Sequence, residues 1–252
     1  MIEPLSTTSF LHPKLKDAKK LTYCENYELG KLPCEMVKQI GAHIVYQLHS
    51  GRTDLTGEDW GNIFAQVIGG EHFNKPVGIA DVHKGKLAWS MKTVKSTNVF
   101  TTTSIRLISG RCSPDYSFDI SNPHEDIQRT GQAVLAIWNT RVNIAREEFN
   151  PIRVNVLVRS YDLTEFQIFE EIVEQYRTTD FIWVENKNGN LEGYKKQTDE
   201  KFFTWQPHGA QFTIHTKVPE DAIKFKVRTP PVAPMNDVLK LLKFNDSWVE
   251  IL

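Results

Sequence analysis

The sequence predicts an α+β (mixed α/β) protein with a central mixed β-sheet flanked by helices and a strand-rich C-terminal annex. Helical patterns at residues 32–50, 56–68 and 126–149 are interspersed with short segments rich in β-branched residues. Beyond residue 176 the pattern changes to hairpin-like segments, with one short helix expected near the end. We therefore expect residues 1–176 to form the core, with an N-terminal helical region, and residues 177–252 to form the annex.

The first two helices are predicted from apolar residues at helical spacing. Residues 32–50 carry such a stripe, and Gly51 follows as a stop. The second helix begins after Thr56, a plausible N-cap with Asp59 three residues further on. Its apolar stripe ends at Gly69-Gly70 and comprises Trp60, Ile63, Phe64, Val67 and Ile68.

The remaining elements follow from alternation and turn residues. Lys84-Gly85 predicts a tight hairpin between strands at 77–83 and 86–94, and a third strand is expected at 100–108. A long helix at 126–149 ends at Asn150-Pro151. Further strands are predicted at 152–159, 165–173, 202–205, 211–218 and 223–227, with turn material at 186–193.

Composition excludes several classes of protein. Apolar residues make up 40% of the 252 residues and charged residues 24%, which is ordinary globular usage rather than that of disordered, collagen-like or coiled-coil chains. No apolar run approaches the ~18 residues of a membrane span, so we expect no membrane partner. No secretory signal pattern and only three cysteines are present, which favours a cytoplasmic location.

Charge is distributed unevenly along a chain whose net charge is -1. Residues 75–111 contain seven basic residues and one acid, a local charge of +6. Such a stretch can steer a polyanion towards the protein. A strand edge kept in solution by lysines would give the same pattern, and both interpretations stay open.

The motif with chemical content is Asp81, followed after eight residues by Ser90-Met91-Lys92. The side-chain period of two puts Ser90 and Lys92 on one face of their strand, and Met91 on the other. The hairpin brings Asp81 alongside, where its carboxylate can reach the Lys92 ammonium. A carboxylate and a lysine on one face can hold a hard divalent cation and orient a water, which is chemistry suited to a phosphodiester.

This motif resembles that of the PD-(D/E)XK nuclease superfamily, and within it the type II restriction endonucleases. The resemblance implies a restriction-endonuclease-like core in the order helix, three strands, helix, strand. It also implies site-specific, Mg²⁺-dependent hydrolysis of double-stranded DNA by a homodimer. Asp81 would be a metal ligand, and Lys92 would lie near the attacking water. Ser90 departs from the pattern, since an acid usually stands there, and Ala80 stands where proline is frequent.

A second acid would then come from elsewhere, as in some restriction enzymes that have serine at that position. Glu58 is the candidate catalytic and metal-binding residue, although its side chain projects away from the apolar stripe of its helix. Asp59 and Glu71 are alternatives. Each of the three also has a simpler interpretation, as a carboxylate in a loop or in the first turn of a helix.

Candidate DNA-binding residues lie in two regions. Lys95, Arg106, Arg111 and Ser113 could contact phosphates or guanine, whereas Gln206 and His208 lie in a predicted loop that could read bases. The alternative function is a catalytically inactive DNA- or protein-binding module on the same scaffold, with Ser90 marking the loss of the metal site. A third possibility is a nuclease acting on other nucleic acids.

Overall fold

A computed structural model describes residues 27–252. The helices of this part are α1 (Cys34–His49), α2 (Gly57–Ile68), α3 (Pro114–Phe118), α4 (Ile127–Glu148) and α5 (Met235–Leu241). The strands are β1 (Glu71–Val77), β2 (Ala80–Lys84), β3 (Leu87–Lys95), β4 (Ser104–Arg111), β5 (Ile152–Arg159), β6 (Glu165–Ile172), β7 (Phe181–Glu185), β8 (Leu191–Lys195), β9 (Glu200–Gln206), β10 (Gln211–Lys217) and β11 (Ile223–Lys226).

The strands form two sheets, and the predicted α+β class is confirmed. The first sheet has the order β1-β2-β3-β5-β6-β11 and is mixed, because β3 and β5 run parallel while its other neighbours are antiparallel. The second sheet has the order β4-β10-β9-β8-β7 and is antiparallel throughout. The connection from β3 to β5 includes the long helix α4, because two neighbouring parallel strands need a crossover connection.

Helices cover both faces of the first sheet. Helices α1 and α2 pack on one face, where Trp89 and Met91 of β3 belong to their apolar cluster. On the other face, Ala88 of β3 packs in the same cluster as α4, and this cluster continues into the aromatic core of the second sheet. The alternation predicted for β3 is therefore confirmed, and α4 is the layer shared by the two sheets.

The local signals at α2 are confirmed in detail. Thr56 caps the helix and forms a capping box with Asp59, whose amide donates to the Thr56 hydroxyl at 3.1 Å. Gly69 ends the helix in the left-handed conformation, at φ 64°. These contacts satisfy backbone groups that a helix end leaves unpaired, which is why the sequence located both ends correctly.

Several strand predictions were wrong in their limits or partners. The predicted strand at 77–83 is two strands, because Gly78, with φ 63°, turns the chain between β1 and β2. The segment predicted as a third strand at 100–108 begins with a 3₁₀ turn at Val99–Thr101, and its strand, β4, belongs to the second sheet. Strands β7 and β8 were not predicted, and β8 begins at Leu191, inside the segment 186–193 that was predicted as turn material.

The chain crosses between the sheets on either side of residue 176. Strand β4, from the predicted core, is an edge strand of the sheet that is otherwise built by the annex. Conversely, β11, which belongs to the predicted annex, is an edge strand of the first sheet and pairs with β6 in the register Ile223↔Ile168. Among the described residues no helix is long and apolar enough to cross a membrane.

Candidate active site

The hairpin of β2 and β3 brings Asp81, Ser90 and Lys92 into contact. The Lys92 Nζ lies 3.7 Å from Oδ2 of Asp81, and the two side chains are 20% and 22% exposed. The same Nζ donates to the Ser90 hydroxyl at 2.9 Å and to the Met91 carbonyl at 3.2 Å. The Ser90 hydroxyl in turn donates to Asp81 Oδ2 at 3.4 Å. The three residues therefore share one face, as their spacing predicted.

Asp81 lies where β2 separates from β3. The pairs between β2 and β3 end at Val82↔Trp89, whereas the pairing of β2 with β1 continues to Ala80, which is opposite Val77. The Asp81 carboxylate occupies the vacated place and accepts the Met91 backbone N–H at 2.7 Å. The Asp81 carboxylate is thus held beside Lys92 by a charge-assisted hydrogen bond, at the point where the pairing of β2 with β3 ends.

The Lys92 ammonium is held in an unfavourable environment. Burial lowers the pKa of Lys92, because a charged amine loses hydration. The Asp81 carboxylate opposes this change, whereas the Arg141 guanidinium adds to it. A lysine whose pKa is lowered by burial, beside a carboxylate, is an arrangement typical of functional sites.

Arg141 is the neighbour to which the sequence gave no role in the site. It projects from α4 and donates to the carbonyls of Ser109 at 3.3 Å and Gly78 at 3.4 Å. It thereby ties the turn before Asp81 to β4 of the second sheet. Gly110 has φ 101°, a conformation that favours glycine, and an added Cβ there would displace the Arg141 guanidinium from a distance of 2.2 Å. Arginine on a helix that is otherwise amphipathic is a weak signal, and only the fold reveals this role.

The three candidates for a second acid make other contacts. Glu58 lies 3.6 Å from the ring of His72 on β1 and its side chain is 71% exposed. Asp59 is used by the capping box of α2 and by an ion pair with Arg52. Glu71 lies 3.5 Å from the ring of His83. The assignment of Glu58 therefore stays a prediction.

The site formed by Asp81, Ser90 and Lys92 offers a divalent cation one carboxylate, that of Asp81. Within residues 27–252 no group of three or more His, Cys, Asp or Glu side chains could hold a metal, and Oδ1 of Asp81 has no hydrogen-bond partner. Mg²⁺ commonly keeps several waters and binds through one or two carboxylates together with substrate phosphates. The free Asp81 oxygen fits such a site when a phosphate completes it.

A groove of about 380 Å³ runs along β3 beside this site. Lys92, Lys95 and Arg106 line it, together with Gly57 at the start of α2. Lys95 is 3.0 Å from Asp54 and lies over the ring of Tyr161. Two of the predicted phosphate-binding residues, Lys95 and Arg106, are thus brought to the candidate site.

The other predicted DNA-binding residues are grouped elsewhere. Gln211 of β10 pairs with both Arg111 and Gln206, so these two lie at one end of the second sheet. His208 follows in the turn between β9 and β10, and Ser113 stands at the N-cap position of the short helix α3 without a side-chain capping hydrogen bond. Arg106 faces a residue four positions further along β10, ~13 Å from this end.

A larger cavity of about 580 Å³ lies between the two sheets and also reaches Ser90 and Lys92. Glu171 of β6 faces it, in the same row across the sheet as Val154 and Ser90. Burial raises the pKa of Glu171, while the Thr216 hydroxyl, which donates at 3.1 Å, opposes the rise. On the opposite wall, burial lowers the pKa of His215 to about 4, assisted by nearby cations.

No family model, curated protein or solved structure matches the chain.

Proposed function

We propose that this protein is a Mg²⁺-dependent endonuclease that hydrolyses phosphodiester bonds of double-stranded DNA. The observation that carries the proposal is the 3.7 Å contact between Lys92 Nζ and the Asp81 carboxylate at the open end of the hairpin. The restriction-endonuclease-like core is part of the proposal. It is supported by the chain order of α2, β1 to β3, α4 and β5, although β4 interrupts this order and joins the second sheet.

Asp81 would hold the metal through its free Oδ1, since Oδ2 is engaged by the Met91 amide. Bound there, Mg²⁺ supplies a Lewis acid and lowers the pKa of its water. Lys92 orients the attacking water and stabilises the negative charge that develops on the phosphate. The water oxygen forms a bond to phosphorus and releases a proton to solvent, while the bond from phosphorus to the sugar oxygen breaks and that oxygen takes up a proton from solvent. Ser90 fixes the lysine by accepting its hydrogen bond.

Double-stranded DNA is proposed as the substrate because cations line the groove next to the site. Lys95 and Arg106 would contact phosphates on either side of Lys92. The group formed by Arg111, Gln206 and His208 lies further along the second sheet and would contact the duplex beyond the cut. A specific recognition sequence and a homodimer belong to the same proposal, since a two-fold protein matches a palindromic site.

Plasmid cleavage tests the proposal directly. We expect supercoiled plasmid with Mg²⁺ to give discrete fragments, and the K92A variant to bind DNA without cutting it. K86A is the matched control, because Lys86 belongs to the same hairpin but donates to the Glu148 carbonyl at the end of α4. Equal cutting by K92A and the wild type would refute the assignment of Lys92, and a smear of products would indicate a nuclease without sequence specificity.

A catalytically inactive binding module is the second candidate function. The observation that favours it is Ser90, which leaves Asp81 as the one acid in contact with Lys92 among residues 27–252. This candidate predicts a mobility shift with DNA that stays intact at every Mg²⁺ or Mn²⁺ concentration. It also predicts that K92A changes DNA affinity by the same factor with and without the metal.

A further inference from the structure

The cavity between the sheets combines aromatic and acidic side chains. Its lining includes three aromatic residues, namely Trp138 of α4, Phe202 of β9 and Tyr176, which follows β6. Glu171 and Glu200 supply carboxylates. Its volume of about 580 Å³ lies within the 300–1,000 Å³ typical of small-molecule sites. The space is therefore large enough for a nucleobase with its sugar.

Two polar groups in this cavity lack partners. Oε1 of Glu171 and the hydroxyl of Tyr176 have no hydrogen bond within residues 27–252. Burial raises the pKa of Tyr176, and the carboxylates of Glu174 and Glu171 raise it further. Neither atom is buried away from solvent, so a ligand with an amino donor would replace water at the Glu171 carboxylate.

The cavity meets the proposed phosphate groove at two residues. Lys92 and Leu107 line both spaces. In the first sheet, Ser90, Val154 and Glu171 are consecutive members of one cross-strand row, which places Glu171 two strands, or ~10 Å, from Ser90. A nucleotide whose phosphate lies at Lys92 could therefore place its base between the sheets.

We infer that the cavity binds a nucleobase bearing an exocyclic amino group, extruded from the duplex next to the cleaved phosphate. This inference rests on the proposed function and names a subsite of it. The amino group donates to Glu171, as cytosine N4 donates to a carboxylate in base recognition. The rings of the cavity supply stacking surfaces for the base.

The acids of the cavity decide between a base and a phosphate as the occupant. Glu171, Glu174 and Glu200 all line it. Its three lysines are each in an ion pair with a carboxylate: Lys92 with Asp81, Lys201 with Glu192 and Lys217 with Glu200. A phosphate would be repelled by these carboxylates, whereas a neutral base with an amino donor is attracted. Phosphates belong in the groove lined by Lys92, Lys95 and Arg106.

The test compares cytidine with thymidine, two ligands of similar size that differ in their amino and carbonyl groups. The full chain, without metal, is titrated with each nucleoside by calorimetry or NMR. We expect cytidine to bind at least about tenfold more tightly than thymidine. E171Q should remove most of this difference, and E165Q is the matched control, because Glu165 on the same strand pairs with Lys226 outside the cavity. Equal affinity for the two nucleosides, or no binding of either, would overturn the inference.

Extrusion is tested with duplexes that carry one cytosine or one thymine opposite an abasic site. The unpaired base costs little to extrude, so the wild type should prefer the cytosine duplex and E171Q should lose that preference. Plasmid cleavage without nucleoside discrimination would overturn the base site and retain the nuclease. Cytidine discrimination without cleavage under any metal would retain the base site and remove the proposed function.

Discussion

A double-mutant cycle at Asp81 and Lys92 measures how strongly the candidate site is built into the fold. D81A removes the acceptor of the Met91 amide, at 2.7 Å, and the carboxylate 3.7 Å from the Lys92 ammonium. K92M removes the ammonium and retains the length of the side chain. The two changes separate the hydrogen bond to the backbone from the contact between charges.

The expected magnitudes follow from the contacts. Losing a hydrogen bond to a charged acceptor costs about 1.5–3 kcal/mol of unfolding free energy. D81A also leaves the Lys92 ammonium, 20% exposed, without its counterion, so we expect a total loss of about 3 kcal/mol. K92M should be neutral to within about 0.5 kcal/mol, because the burial that disfavours the charged amine and lowers its pKa offsets the lost contact with Asp81. The double variant should therefore lose only about 1.5–2 kcal/mol.

Urea unfolding followed by tryptophan fluorescence provides the measurement, with the midpoint and slope fitted for all four proteins. D81N is the control, because an amide oxygen can still accept the Met91 N–H. The reasoning is refuted if D81A unfolds within about 0.5 kcal/mol of the wild type, or if the four free energies are additive. Additivity would mean that the carboxylate and the ammonium do not interact in the folded protein.

Three further predictions concern other parts of the fold. The pKa of His215 is lowered to about 4 in the folded protein, whereas its pKa in the unfolded chain is about 6.5. The unfolded chain therefore takes up a proton first, and the free energy of unfolding falls as the pH drops from 6.5 to 4. Relative to H215Q, the wild type should lose up to about 3 kcal/mol across that window in urea titrations. G78A should lower the free energy of unfolding by about 3 kcal/mol or more, because Gly78 has φ 63° and an added Cβ would lie 2.2 Å from the Arg141 carbonyl oxygen. G30A is the control: Gly30 has φ 73° with open space around it, so this change should cost about 1–2 kcal/mol in the same assay. The Cys112 thiol is buried, which raises its pKa to about 12 although Arg141 opposes the rise, so peptide mapping should find it unlabelled by a thiol reagent at pH 8 until urea unfolds the chain.

The sequence could predict those features that depend on neighbours along the chain. The apolar period located α1, α2 and α4 to within a few residues, and Thr56 with Asp59 located the start of α2. The pairing of Asp81 with Lys92 was also predictable, because one tight hairpin and a side-chain period of two decide which face each residue occupies.

Strand partners were not predictable in the same way. Strand β1 is exposed or half-buried along its length and contains Pro76, so it carries no alternation. Strand β4 alternates clearly, with Ile105 and Leu107 buried, but alternation does not say which sheet a strand joins. That choice depends on β10, more than a hundred residues later in the chain. For the same reason the role of Arg141, which joins two carbonyls from different sheets, could not be deduced from its position on a helix.

The basic residues of segment 75–111 have two kinds of role in the structure: some bind helix ends and others line a groove. Lys84 donates to the Ile68 carbonyl at 2.7 Å and Lys86 to the Glu148 carbonyl at 2.8 Å, so two of its lysines satisfy the C-terminal ends of α2 and α4. Three others, Lys92, Lys95 and Arg106, line one groove. Cations at helix ends contribute to the fold. Of the groove cations, Lys92 and Lys95 are paired with Asp81 and Asp54, and Arg106 makes no ion pair within residues 27–252. The local charge of +6 therefore overstates the electrostatic attraction of this segment for a polyanion, and the proposed DNA contact depends on the groove rather than on the net charge of the segment.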